Sequence, residues 1–126
     1  MTAVVRGRLR NPADAPVRGE RVDQVLRVGD LLVEQILSAA PDHPVEFVQD
    51  HDEWVVVLGG AAVLDVDGER LELGPGDWVL LPSGAPHRLL DNDPGTSWLA
   101  VHLPRSSRGR AEPASSPTTS GRAKPA

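Results

Sequence analysis

The sequence predicts an all-β domain of many short strands, arranged as a sandwich or a barrel. Three observations predict it. Glycine and proline number 12 each in 126 residues, a load that breaks helices and suits short strands joined by turns. Apolar, β-branched runs recur at close spacing between those breakers. Asp67-Gly68 lies between two such runs and is a dipeptide that two-residue hairpin turns favour, because both central positions take positive φ.

The elements follow in chain order. Residues 1–20 are polar, carry Pro12 and Pro16, and read as a flexible N-terminal arm. Residues 21–104 hold almost all the large apolar side chains and form the folded domain. Leu31, Val33, Gln35 and Leu37 alternate with Leu32, Glu34, Ile36 and Ser38, a strand with apolar residues on both faces. A helix over Asp23 to Ser38, drawn on Val25, Leu26, Leu32, Ile36 and Leu37, competes with it. Gly29-Asp30 interrupts that helix, and the Val and Ile content favours strands. The β-branched run from Trp54 to Leu58 stops at Gly59-Gly60. Val63 to Val66 and Glu69 to Leu73 flank the Asp-Gly turn. Gly74-Pro75-Gly76-Asp77 is a tight turn before the apolar run Trp78 to Leu81. Pro82 and Gly84 then turn the chain sharply, and Pro86 holds Ala85 extended. His87 leads the next strand through Leu90, and Ser97 to Leu103 is the last strand. Residues 105–126 contain no apolar side chain larger than Ala apart from Pro. They read as a disordered basic tail rich in Pro and Ser.

Charge and composition narrow the function classes. The net charge is −5. The last 22 residues carry five bases and one acid, so the first 104 carry a net −9. An acidic body disfavours nucleic acid as a partner. No apolar run reaches the roughly 18 residues of a membrane span, and the N-terminus has no apolar core of a secretory signal. Cysteine is absent, which removes disulfides, thiolate metal sites and cysteine nucleophiles. A cytoplasmic location fits that composition. No phosphate-cradling glycine loop and no Gly-x-Ser-x-Gly elbow is present.

The segment Gly76-Asp77-Trp78-Val79-Leu80-Leu81-Pro82-Ser83-Gly84-Ala85-Pro86-His87 resembles the second motif of the cupin superfamily, G-x5-P-x-G-x2-H-x3-N. Only the last position departs, with Asp91 in place of Asn. The first cupin motif, G-x5-H-x-H-x(3,4)-E-x6-G, is degenerate. Glu53 lies seven residues before Gly60, as that motif requires, but its two histidine positions fall on Phe47 and Gln49. The resemblance spans about residues 30–103. It implies a small single-domain cupin with one closed β-barrel, the double-stranded β-helix or jelly roll, over residues 21–104. It also implies a homodimer.

In metal-bearing cupins three His and one Glu hold Mn, Fe, Ni or Zn. By resemblance, Glu53 and His87 are the surviving strong ligands here, and Gln49 offers a neutral carbonyl oxygen. His51 is an optional fourth. Shifting the register by two to place Gln49 and His51 on the histidine positions would need a Glu near 55 or 56, where the chain has Val. The site is therefore either a divalent-metal centre of Gln49, His51, Glu53 and His87, or a metal-free pocket. In the second case Glu53 and His87 act as acid and base. His102, between Val101 and Leu103, is a further pocket candidate, and His43 reads as a solvated loop residue. Three functions follow: a small cupin enzyme of isomerase, lyase or oxygenase type, a metal-free small-molecule-binding or sensing domain, and a partner-dependent subunit.

Overall fold

The computed structural model describes residues 3–104 and 112–114. The expectation of a disordered tail over 105–126 therefore falls, save for three residues, outside the described residues. The described residues form strands β1 Glu20–Val28, β2 Leu31–Ser38, β3 Val45–Phe47, β4 Glu53–Gly59, β5 Ala62–Val66, β6 Glu69–Leu73, β7 Trp78–Leu81, β8 His87–Asn92 and β9 Thr96–His102. A single 3-10 turn, Pro12–Asp14, precedes them, with the Asn11 side chain accepting from the Ala13 N–H.

The helical alternative for Asp23 to Ser38 does not form. That stretch lies in an antiparallel hairpin turning at Gly29-Asp30, with Val28 opposite Leu31 and Glu20 opposite Ser38. Gly29 takes φ +58° there, a conformation that suits glycine. The Asp-Gly turn forms as expected. Asp67 and Gly68 have φ of +51° and +91°, and Asp65 Oδ1 accepts the Gly68 N–H at 2.9 Å.

The strands make two antiparallel sheets, one ordered β1-β2-β9-β4-β7 and the other β3-β8-β5-β6. This corrects the expected closed β-barrel or jelly roll: no ladder joins the two sheets, and neither sheet closes on itself. The chain passes from β7 to β8, between the sheets, through Pro82-Ser83-Gly84-Ala85-Pro86. The edges of the two sheets, β1 and β7 in the first and β3 and β6 in the second, do not pair. At the neighbouring rim, β3 is only three residues long.

The sheets pack face to face around one core. Val55, Val57, Leu81, Trp98 and Ala100 from the first sheet meet Ala62, Leu64, Leu73 and Leu89 from the second. Burying each larger aliphatic side chain contributes about 1.5–3 kcal/mol. At the far end from the site, Gly60 lies against Thr96, where an added Cβ would come within 2.5 Å of Thr96 Oγ1. On the outer face, the segment before β1 docks on Gln35. Its side-chain carbonyl accepts the Arg10 N–H at 2.7 Å, and its amide donates to Arg10 O at 3.1 Å and Ser97 Oγ at 3.2 Å. No helix among the described residues is long and apolar enough to cross a membrane.

Candidate functional site

Glu53 opens β4 in one sheet and His87 opens β8 in the other, so facing sheets deliver them to one cavity. Both are buried, at 7% and 6% exposure. Buried ionisable groups of this kind need a reason, and a cavity of about 100 Å³ between the sheets supplies one. Its walls are largely apolar, with Ile36, Val55, Leu64 and Trp98 among them. The cavity adjoins a larger groove of about 410 Å³, and the two share Glu20, Phe47 and Leu89. Arg18, Asp42 and His43 border that groove.

The Pro-Gly corner and the turn before β4 hold the site together. Gly84 N–H donates to Gln49 O at 2.8 Å, Ser83 N–H donates to Asp52 Oδ1 at 2.8 Å, and Leu103 N–H donates to Asp52 O at 2.9 Å. Gly84 has φ +81°, and Ala85 N–H closes the corner on Pro82 O at 3.1 Å. These bonds fix where β8 starts, and with it His87.

Inside, the Gln49 amide donates to Glu53 Oε1 at 2.5 Å. Phe47 lies opposite His87 in the β3–β8 ladder and stacks on it, with centroids 5.5 Å apart and planes 21° apart. His87 Nδ1 lies 3.4 Å from Ala85 O, a long contact. The structure thus gathers three of the four proposed ligands, Gln49, Glu53 and His87, around one cavity. His51 goes elsewhere. Its Nε2 lies 2.8 Å from His102 Nδ1, and His102 Nε2 lies 2.8 Å from Glu34 Oε1. His51 and His102 border a separate cavity with Glu34 and Arg27.

Sequence reasoning missed Glu20. It was assigned to the arm, yet it begins β1 opposite Ser38, and Ser38 Oγ donates to its carboxylate at 3.1 Å. Glu20 is solvent-exposed as a whole residue, but its carboxyl end lines the cavity. Desolvation raises its pKa above the ordinary carboxylate value, and the Glu53 charge adds to that. The Ser38 bond opposes both and is outweighed. The signal available in the sequence was the Gly29-Asp30 turn. Pairing outward from it carries β1 back to residue 20.

A family model described as a cupin domain matches residues 33–102. The chain belongs to the cupin family. Three solved structures place this cupin among its relatives. A protein provisionally assigned as a mannose-6-phosphate isomerase, from Ralstonia eutropha JMP134, is 33% identical, with a TM-score of 0.66 over 76% of this chain and 97% of that one. KdgF from Halomonas sp. is 23% identical, with a TM-score of 0.63 over 69% and 80%. A cupin superfamily protein from Desulfitobacterium hafniense DCB-2 is 18% identical, with a TM-score of 0.60 over 71% and 82%. The last two share the fold. No curated protein matches the chain.

The donor set of this cupin does not fit a cupin metal. Among the described residues, no group of three or more His, Cys, Asp or Glu is placed to hold an ion. Glu53 and His87 are two strong donors. The third position is an amide already donating to Glu53, and the fourth is a phenyl ring stacked on the histidine. Bound by Glu53 and His87, a first-row ion would still lack ligands, because the amide oxygen is a weak donor and the phenyl ring is none.

Proposed function

We propose that this cupin is a metal-independent small-molecule pocket. Glu53 and His87 bind a neutral, hydroxyl-bearing end of the ligand and pass a proton to or from it. The observation that carries the reading is the Gln49–Glu53 hydrogen bond beside the Phe47–His87 stack. Those two contacts put an amide and a phenyl ring beside the carboxylate and the imidazole, and they hold the acid and the base in place.

The electrostatics favour a neutral end. Glu20 and Glu53 both line the cavity, and among the described residues no Lys or Arg does. A phosphate or carboxylate buried there would meet like charge with no partner. A cavity of about 100 Å³ holds only a few heavy atoms, so the rest of the ligand lies in the adjoining groove near Arg18. The Ralstonia protein is assigned to an isomerisation of a sugar phosphate. Moving a proton between neighbouring carbons needs one base and one acid, which Glu53 and His87 can supply without a metal.

We further propose a homodimer through the outer face of the five-stranded sheet. Leu26, Val33, Val101, Trp54 and Leu80 form one cross-strand row, and Trp78 lies beside it at 51% exposure. Trp54 and Trp78 have ring centroids 6.1 Å apart. Leu26 and Trp78 are exposed and the other four half-buried, and a partly exposed apolar face suits an association surface.

The test of the pocket is an NMR titration in the presence of EDTA with mannose, mannose 6-phosphate and benzoate. The expected result is saturable shifts at Val55, Leu64 and His87 with the two sugars and none with benzoate, lost in Glu53→Gln. Sugar binding that appears only after a divalent ion is added, or shifts with benzoate that ignore Glu53→Gln, would overturn the reading.

A further inference from the structure

We infer that the ligand is a phosphorylated polyol, and that Arg18, with His43 on the same groove, binds its phosphate. The inference rests on the pocket reading above and supplies the ligand's other end.

The cavity and the groove differ in charge. The ionisable side chains at the cavity are Glu20, Glu53 and His87. Those at the groove are Arg18, Glu20, Asp42 and His43. Glu20 stands at the junction and lines both. Among the described residues, a permanent cation borders only the outer side of that junction. An anionic group is repelled on the inner side and finds a partner on the outer one. The groove is also the larger space, about 410 Å³ against about 100 Å³.

The backbone fixes where Arg18 leaves the sheet. Gly19 takes φ +73°, a conformation that suits glycine, and its carbonyl accepts the Ala39 N–H at 2.9 Å. Glu20 follows as the first residue of β1, opposite Ser38. The link from Arg18 to Glu20 is therefore tied to the end of β2. Two residues of chain span no more than about 7 Å, so a short polyol can run from the cavity to the neighbourhood of Arg18. Gly19, Ala39 and Ala40 line the groove there, and their small side chains leave it open.

Arg18 has no protein partner among the described residues. Arg10, Arg21, Arg70 and Arg88 pair with carboxylates. Arg18 makes no ion pair and no side-chain hydrogen bond, although Asp42 borders the same groove. Its fork of N–H donors is left for a ligand. Glu20 and Asp42 oppose any anion there, so the anion has to make strong, charge-assisted hydrogen bonds. A phosphate offers three acceptor oxygens, enough for the guanidinium and an imidazole N–H of His43 together. A carboxylate offers two, which the guanidinium alone fills.

The experiment is an NMR titration of the full chain, with EDTA present, using mannose, mannose 6-phosphate and gluconate. It compares the wild type with Arg18→Gln, Arg18→Lys, His43→Gln and Glu53→Gln. The expected result is that mannose 6-phosphate binds at least about tenfold tighter than mannose, as charge-assisted hydrogen bonds allow, and alone shifts the Arg18 and Gly19 amides. Arg18→Gln should abolish that advantage while mannose binds as before. Arg18→Lys should keep part of it, since an ammonium supplies the charge without the fork. His43→Gln should weaken mannose 6-phosphate alone. Arg18 is exposed and precedes β1, so its substitution does not enter the core, and retained mannose binding shows that the variant is folded. Equal affinity for the two sugars would overturn the inference. So would an Arg18→Gln loss shared equally by mannose, or gluconate binding as tightly as mannose 6-phosphate. Those outcomes leave the pocket reading standing. Mannose 6-phosphate binding that is lost in Arg18→Gln and unmoved by Glu53→Gln would instead support the phosphate site and sink the pocket. Binding of neither sugar would overturn both.

Discussion

Phe47 stacks on His87 at 5.5 Å between centroids, and this pairing decides the character of the pocket. The β3–β8 ladder sets Phe47 opposite His87, so the ring at the position where cupins place a metal-binding histidine covers the surviving histidine instead. Two residues along, Gln49 closes the other side by donating to Glu53. The acid and the base are thus each held by a non-ligand.

Restoring the ligands should restore a metal. In a His51→Ala background, the double substitution Phe47→His/Gln49→His gives the cavity three histidines and Glu53. The expected outcome is a Ni²⁺- or Zn²⁺-dependent rise in melting temperature, corresponding to about 2.7 kcal/mol at a hundredfold excess over the dissociation constant. His51→Ala alone should show none. Thermal melts with and without the ion check it.

Glu20 makes stability fall with rising pH. Its folded pKa is raised, mainly by desolvation, so the native state holds this proton more tightly than the unfolded chain. The contribution is fully present below the unfolded value of about 4.5 and is lost as pH rises through the higher folded value. Glu20→Gln should therefore be more stable than the wild type at neutral pH, with the difference vanishing toward pH 4. Partial exposure keeps the gain below about 1 kcal/mol. Urea melts across pH 4 to 8 check it.

Gln35 holds the segment before β1 against the sheet. It is 2% exposed, and its amide makes three hydrogen bonds. Gln35→Ala should cost about 1–3 kcal/mol through the buried groups left unpaired. It should also speed hydrogen exchange at the Arg10 amide, which amide-resolved exchange measures directly.

The outer sheet face should hold two copies together. Trp78→Glu puts a charge at the edge of that apolar face without entering the core. Sedimentation velocity at micromolar concentration should show a dimer for the wild type and a monomer for the variant. A monomeric wild type would remove the dimer proposal.

Much of this was legible in the sequence because local chemistry dictated it. Asp67-Gly68 turns as such a dipeptide must, and the Gly76 to His87 segment sets a corner and delivers His87 to the cavity. Gln49 and Glu53 line the same cavity as His87. Sheet closure was not legible, because it depends on whether edges meet across space. Prolines 82 and 86 report a corner, and the corner alone does not say that no ladder crosses it. Glu20 was hidden by a polar, mostly exposed strand that pairs only through β2. His51 was hidden differently. Its partner is 51 residues away on β9, and a spacing pattern within one motif carries no information about that contact.

The most direct test of the metal-independent pocket is ¹⁵N NMR of the histidine rings as Zn²⁺ is added to the wild-type chain. The His87 ring nitrogens should keep their shifts at saturating Zn²⁺. A saturable, one-to-one shift of a His87 ring nitrogen, abolished by Glu53→Gln, would place the ion in the cavity and contradict this.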